Sequence, residues 1–225
     1  MDNIEILSIM QHSDSFFPTG SVSFSWGAEE LINEGIIESK TDIESILVNQ
    51  LTQRWQEFDR VVLVHTYNQA EQITRIQEID NYLETLILNE EFREGSKKLG
   101  IAMLSTYESL GNQIASDYLN RVYKSNACGH QVVMQALIWK SINLSLDSIQ
   151  CISAYNLCIN ILGAALRLGK LGHIESQSII SNLHPIIIQA ISNLVPDFSE
   201  IKAYTPCVDI ASMRHEVSDS RLFIN

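Results

Sequence analysis

Thr41-Asp42-Ile43-Glu44-Ser45-Ile46-Leu47-Val48-Asn49-Gln50-Leu51-Thr52-Gln53-Arg54-Trp55-Gln56-Glu57-Phe58 is the stretch that decides the fold class. It opens on Thr-x-x-Glu, a capping-box pattern in which the hydroxyl and the carboxylate satisfy each other's backbone donors. Ile43, Ile46, Leu47, Leu51, Trp55 and Phe58 then recur at three- and four-residue steps, the period of one helical face. Val61, Val62 and Val64 carry the face onward, so the spacing predicts helix over about 42–70, with room for a break. His65, set among these valines and Tyr67, reads as a buried or half-buried helical residue.

The same rhythm extends in both directions. Ile4, Ile6, Leu7 and Met10 predict a short helix over 3–12, and a helix that reaches Asn33 is stopped by Gly35. Ile76, Ile79, Leu83, Leu86 and Ile87 mark another. Residues 71–94 hold seven acids and two bases, which reads as a solvated helical face. Phe92, Leu99, Met103, Tyr107 and Leu110 mark a further helix, and Ile114, Tyr118 and Val122 a shorter one. The pattern breaks at Asn126-Ala127-Cys128-Gly129, then resumes through Val132, Val133, Ala136, Leu137 and Trp139. Asp147 is placed to cap a long apolar helix to Leu168, which Gly169-Lys170-Leu171-Gly172 ends. A last helix over about 174–194 contains Pro185, expected to kink it near His184. Pro196 and Pro206 bracket a linker ahead of a polar final segment. No alternating strand pattern and no fixed-period repeat occurs. The expectation is a single all-α domain, a bundle of roughly eight to ten helices. Its body is 1–205, including an irregular loop at 13–27, and 206–225 is a C-terminal tail of the same domain.

Composition narrows the function. The 225 residues are 45% hydrophobic, enough to bury a sizeable core. Lys plus Arg is 15 against 27 for Asp plus Glu, a net charge of −12, which disfavours nucleic acid or an anionic membrane as main partner. The cysteines are Cys128, Cys151, Cys158 and Cys207, with no Cys-x-x-Cys pair and no signal-peptide pattern, as expected of a cytoplasmic protein with reduced thiols. Cys151 and Cys158, seven apart, read as two core cysteines of one helical face. No uncharged apolar run long enough for a membrane span stands out.

Catalytic and metal motifs fail on spacing. Ser25-Trp26-Gly27 has Ser23 where a nucleophile elbow needs glycine. Gly163 to Lys170 has one residue too many for a phosphate loop, and Leu171 stands where the magnesium-binding hydroxyl belongs; it reads as a helix C-terminus. His215-Glu216-Val217-Ser218-Asp219 is not His-Glu-x-x-His, and no histidine has Glu three positions before it. Cys207, Asp209 and His215 match no tight ligand spacing.

Two stretches resist reading as plain helix. Residues 13–30 place Phe16, Phe17, Phe24 and Trp26 within eleven positions, behind a Pro18-Thr19-Gly20 turn. Ser21, Ser23 and Ser25 offer hydroxyls to cap the next helix, and Glu29 and Glu30 suit its positive end. The aromatics either plug the domain's own core or dock a partner. The chain end, Arg221-Leu222-Phe223-Ile224, is unusually apolar and should dock on its own domain or on a partner.

Read together, these stretches resemble the urease accessory protein family UreF. Gln11, Ser13, Pro18, Gly20, Ser23-Phe24-Ser25, Gly27 and Glu29 match its N-terminal signature. Pro206, Asp209-Ile210-Ala211-Ser212, His215-Glu216 and Arg221-Leu222-Phe223 match its ending. Arg93, Ser96, Gly100, His130, Ala165-Leu166-Arg167-Leu168, Gly172 and Gln177 fall between them in the family order. The chain departs from the pattern at Val22, Ala28 and His173, where Phe, Leu and Gln are usual. The resemblance implies a non-catalytic, cytoplasmic, homodimeric nickel-insertion chaperone that bridges UreD (also called UreH) to the GTPase UreG on apo-urease. Nickel would be handled by the complex, with no cofactor or metal ligand expected in this chain itself. It points to Phe17, Pro18, Gly20, Ser23, Phe24, Ser25, Gly27, Glu29, Arg167, Gly172, Asp209, Ser212, His215, Glu216, Arg221, Leu222 and Phe223 as partner-binding residues. His215 and Glu216 are expected to organise the tail by hydrogen bonding, with Arg221 meeting a carboxylate and Leu222 and Phe223 filling apolar pockets. The competing class is a small metal-binding protein or enzyme using His130, His173 or His215, which would carry bound metal by itself.

Overall fold

A computed structural model describes residues 2–14, 16–18, 24–215 and 222–223. Among them every regular element is helical: α1 Asn3–Ser13, α2 Ala28–Asn33, α3 Lys40–Asn49, a π-helical stretch Gln50–Asp59, α4 Arg60–Asn68, α5 Ile73–Leu86 and α6 Glu90–Ser109. Then follow α7 Gln113–Tyr123, α8 Gln131–Ser141, α9 Leu146–Arg167, α10 His173–Ser192, a 3₁₀ turn Phe198–Glu200 and α11 Pro206–His215. The all-α expectation holds.

The stretch that decides the fold class forms one rod through α3, the π stretch and α4, with no break. A four-residue step advances about 40° beyond a full α-helical turn, so Ile43, Leu47, Leu51 and Trp55 would drift around an α-helix. The wider i→i+5 hydrogen bonding of the π stretch takes up that drift, and all four side chains lie in the core. The cap differs from the expected one. Ser39 is the N-cap of α3 and Asp42 its reciprocal partner, with Ser39 N–H donating to Asp42 Oδ2 at 2.9 Å. Likewise Ser145, not Asp147, caps α9, accepting from Ser148 N–H at 3.3 Å.

At the centre lies α9, packed on by α1, α2, α3, α4, α8 and α10. It is long and apolar enough to cross a membrane by those two criteria, but 61% of that stretch is buried in the bundle, as in a core helix. Cys158 is buried there and Cys151 is exposed, so the two do not share the core face. Gly169, at φ 71°, ends the helix, with Lys170 N–H returning to Ala165 C=O at 2.9 Å. Pro185 sits inside α10, which continues as a helix to Ser192. His65 is half-buried, with Nε2 3.1 Å from Pro196 C=O.

The acidic stretch 71–94 is not simply a solvated face. Asp80 is completely buried and accepts from Tyr118 Oη at 3.0 Å and from the N–H groups of Cys128, Gly129 and His130 at 2.9, 2.7 and 2.8 Å. One carboxylate thus ties α5 to α7 and shapes the turn that leads into α8. The turn also needs a bare backbone opposite: a Cβ on Gly100 would fall 2.0 Å from Gly129 C=O.

Hydrogen bonds to a charged group contribute about 1.5–3 kcal/mol each. Asp80→Ala, which orphans several buried donors together, should lower unfolding free energy by at least about 3 kcal/mol in urea titration. Gly100→Ala should destabilise as well, and an unchanged midpoint for either variant would contradict this account of the turn.

Candidate functional site

The residues singled out at the two ends of the chain meet around Glu29. Trp26 and Gly27 are both left-handed, at φ 54° and 78°, and turn the chain into α2. At Gly27 the backbone of α11 comes so close that a Cβ would lie 3.1 Å from Val208 Cγ1 and 3.2 Å from Val208 C=O. Gly27 itself is the N-cap of α2, with no side-chain cap; Ala28 N–H donates to Ser25 C=O at 3.1 Å. Of the serines expected to cap this helix, Ser25 takes part through its backbone C=O, and Ser21 and Ser23 lie outside the described residues.

Glu29 is 2% exposed. Its Oε2 lies 3.0 Å from His215 Nε2, and its two oxygens accept from the N–H groups of Leu222 and Phe223 at 2.8 and 3.1 Å. On the other side of the ring, His215 Nδ1 is 2.8 Å from Glu91 Oε1. Ser212 Oγ donates toward Glu91 Oε2 at 3.1 Å and Asn89 Oδ1 at 3.3 Å, and Asn89 Nδ2 donates to Asp209 C=O at 3.2 Å. The ring thus bridges the two carboxylates through its two nitrogens. Helix ends suit these partners. Glu29 and Glu91 sit in the first turns of α2 and α6, where the dipole is positive, and His215 ends α11, where it is negative.

Phe223 is buried, and the Arg167 guanidinium stacks 4.5 Å above its ring. Leu222 is 77% exposed in the isolated chain. Asp209 closes back on Thr205, whose Oγ1 donates at 3.3 Å, and burial pushes its carboxyl up. Of the loop aromatics, Phe24 is buried, Phe17 packs on His12 and Tyr107 at 4.8 and 5.9 Å, and Trp26 lies 5.9 Å from Phe92. Phe16 is 91% exposed. The two readings of the loop thus divide by residue, with three aromatics turned inward and one outward. Pro18 is exposed, its C=O accepting from Thr106 Oγ1 at 3.2 Å.

Gly172, like Phe17 and Pro18, lies apart from the Glu29 cluster; its N–H donates to Glu175 Oε2 at 2.8 Å at the start of α10. Gly20, Ser23, Glu216 and Arg221 lie outside the described residues. Asn89 and Glu91 were missed from sequence; the only local signal was that Asn89-Glu90-Glu91 reads as a helix start.

The UreF family profile matches residues 37–184. Over full length the chain is 34% identical to the urease accessory protein UreF of Trichodesmium erythraeum, covering 100% of this chain and 98% of that protein. It is 30% identical to the protein of the same name from Lachnoclostridium phytofermentans and 27% to that of Yersinia pestis, each with 100% of both chains covered. The family profile spans the helical body, and these relatives extend across both ends that meet at Glu29. The chain belongs to the UreF family.

Proposed function

We propose that this protein is a urease accessory protein that works by positioning. It bridges UreD (UreH) and the GTPase UreG on apo-urease in the cytoplasm, as a homodimer, and so promotes nickel insertion and metallocentre maturation. UreF is a family of accessory proteins and not of catalysts. The observation that carries the scaffold reading is the convergence on Glu29 of the N-terminal loop, α11 and residues 222–223. Phe16 and Leu222, each exposed within one of the two signature stretches, would offer apolar contacts to a partner. In this reading UreD engages the chain end, and the ordered surface presents the dimer to UreG.

Three measurements test it. A truncation ending at Ser220 should keep its helical circular dichroism and lose capture of UreD; capture at full-length affinity would remove the chain end from the interface. His215→Ala leaves two buried carboxylates without their shared partner, a loss of about 1–3 kcal/mol for each buried group left unsatisfied. It should raise amide exchange along α11 and lower urease activation in a reconstituted system, and normal activation would deny His215 an organising role. Light scattering should give the isolated chain the mass of a dimer and, after co-purification, a discrete complex with equal copies of UreD and UreG. A monomer in isolation would contradict the homodimer.

A further inference from the structure

A second polar cluster lies on the other side of α6, outside the Glu29 site. Glu84 on α5, Cys128 in the turn before α8 and His130 at the N-cap of α8 bring one carboxylate oxygen, one sulfur and one ring nitrogen within 4.8 Å of one another. His130 is fully buried, and Glu84 and Cys128 are half-exposed, so the cluster opens to solvent on the carboxylate and thiol side.

Its parts are held from behind. The three bonds from Asp80 to the N–H groups of residues 128–130 fix the backbone that carries Cys128 and His130. His130 Nδ1 is 3.2 Å from Ser96 Oγ, which also accepts from Gln131 N–H at 3.1 Å. That contact sets the ring plane, and with the hydrogen on Nδ1 it leaves Nε2 free to ligate. Lys97 and Arg93 engage Glu84 through Oε1, at 2.9 and 3.5 Å, while Oε2 faces His130 Nε2 at 2.9 Å. An ion entering the cluster would therefore replace the Glu84–His130 hydrogen bond and leave the Lys97 pair standing.

We propose that Glu84 Oε2, Cys128 Sγ and His130 Nε2 form a binding site for a divalent transition ion of borderline softness, of the cobalt, nickel and zinc class. Mixed oxygen, sulfur and nitrogen donors suit these ions and not magnesium or calcium, which take oxygen. Bonds of about 2.0–2.3 Å to a tetrahedral ion put ligand atoms about 3.3–3.8 Å apart. That closure requires the Cys128 sulfur to give up Asn81 Oδ1, now 3.4 Å away. On binding, the thiol proton leaves to solvent and the imidazole ligates in its neutral form; no electron is transferred. Three protein ligands leave a fourth position open, as in sites that exchange their ligands. The inference rests on this geometry and not on the scaffold role, and its test uses the isolated chain.

Chelator-treated full-length protein should be titrated with cobalt(II) alone. The expected result is one equivalent bound, with thiolate-to-cobalt charge-transfer absorption. Cys128→Ser should abolish that band and weaken binding about tenfold or more, Glu84→Gln should weaken binding while keeping the band, and Cys207→Ser should change neither. A band that survives Cys128→Ser, or that is lost in Cys207→Ser, would overturn the proposal. X-ray absorption of the nickel-loaded wild-type chain gives a check independent of variant folding. One sulfur and one imidazole in the coordination shell are expected, and a shell of oxygen donors alone would refute the site.

Discussion

The interaction on which the ends of this molecule depend is a histidine held between two buried carboxylates. His215, Glu29 and Glu91 come from α11, α2 and α6, three segments far apart in sequence. Burying any one of these charges by itself is costly, and their mutual bonding is what makes the arrangement tolerable. Each also stands at the helix end that favours its sign. The three helices are therefore interdependent: displacing α11 removes the ring that joins the two carboxylates. The close approach of Val208 to Gly27 follows from the same demand, because α11 must lie low over the start of α2 for His215 to reach Glu29. The N-terminal loop and the chain end are a single structural unit.

Asp80 solves a related problem differently. It is as buried as His215, but it has no cationic partner; its charge is met by a hydroxyl and three backbone N–H groups. Such a carboxylate organises backbone, where Glu29 and Glu91 organise helices. Both uses draw on the chain's excess of acid. Part of its formal charge of −12 is structural and faces inward.

Helices were legible wherever one face dominated. The three- and four-residue spacing of Phe92, Leu99, Met103 and Tyr107 marked α6 because those side chains meet the core together. Caps were legible only to within a few residues. Ser39-x-x-Asp42 and Thr41-x-x-Glu44 are the same chemistry two positions apart, and local sequence does not choose between them. Cys151 looked like core because Cys158 did, yet the bundle covers one side of α9 at that level and leaves the other open. The π stretch had no composition signal, since its cause is the phase that packing demands of Leu51 and Trp55. Glu84 and Glu91 were two acids among seven; what sets them apart is a histidine 46 residues on for one and 124 residues on for the other. Motif order singled out two stretches whose described parts meet at Glu29, and only the fold could say what bonded to what.

The chain end is held by terms of modest size, and that bears on how it can work. Burying Phe223 stabilises by about 1.5–3 kcal/mol. The two backbone bonds to Glu29 add to this at about 1.5–3 kcal/mol each. Against them stands the ordering of otherwise loose residues, about 1–2 kcal/mol apiece for backbone alone. For residues 222 and 223 the favourable terms exceed that cost, and the net attachment is a few kcal/mol. A partner shifts such an equilibrium only by its differential affinity for the two states. Contact with exposed Leu222 is enough to supply a difference of that order. The deep clamp thus fixes where the end of the chain emerges, and the shallow attachment leaves its last contacts open to a partner.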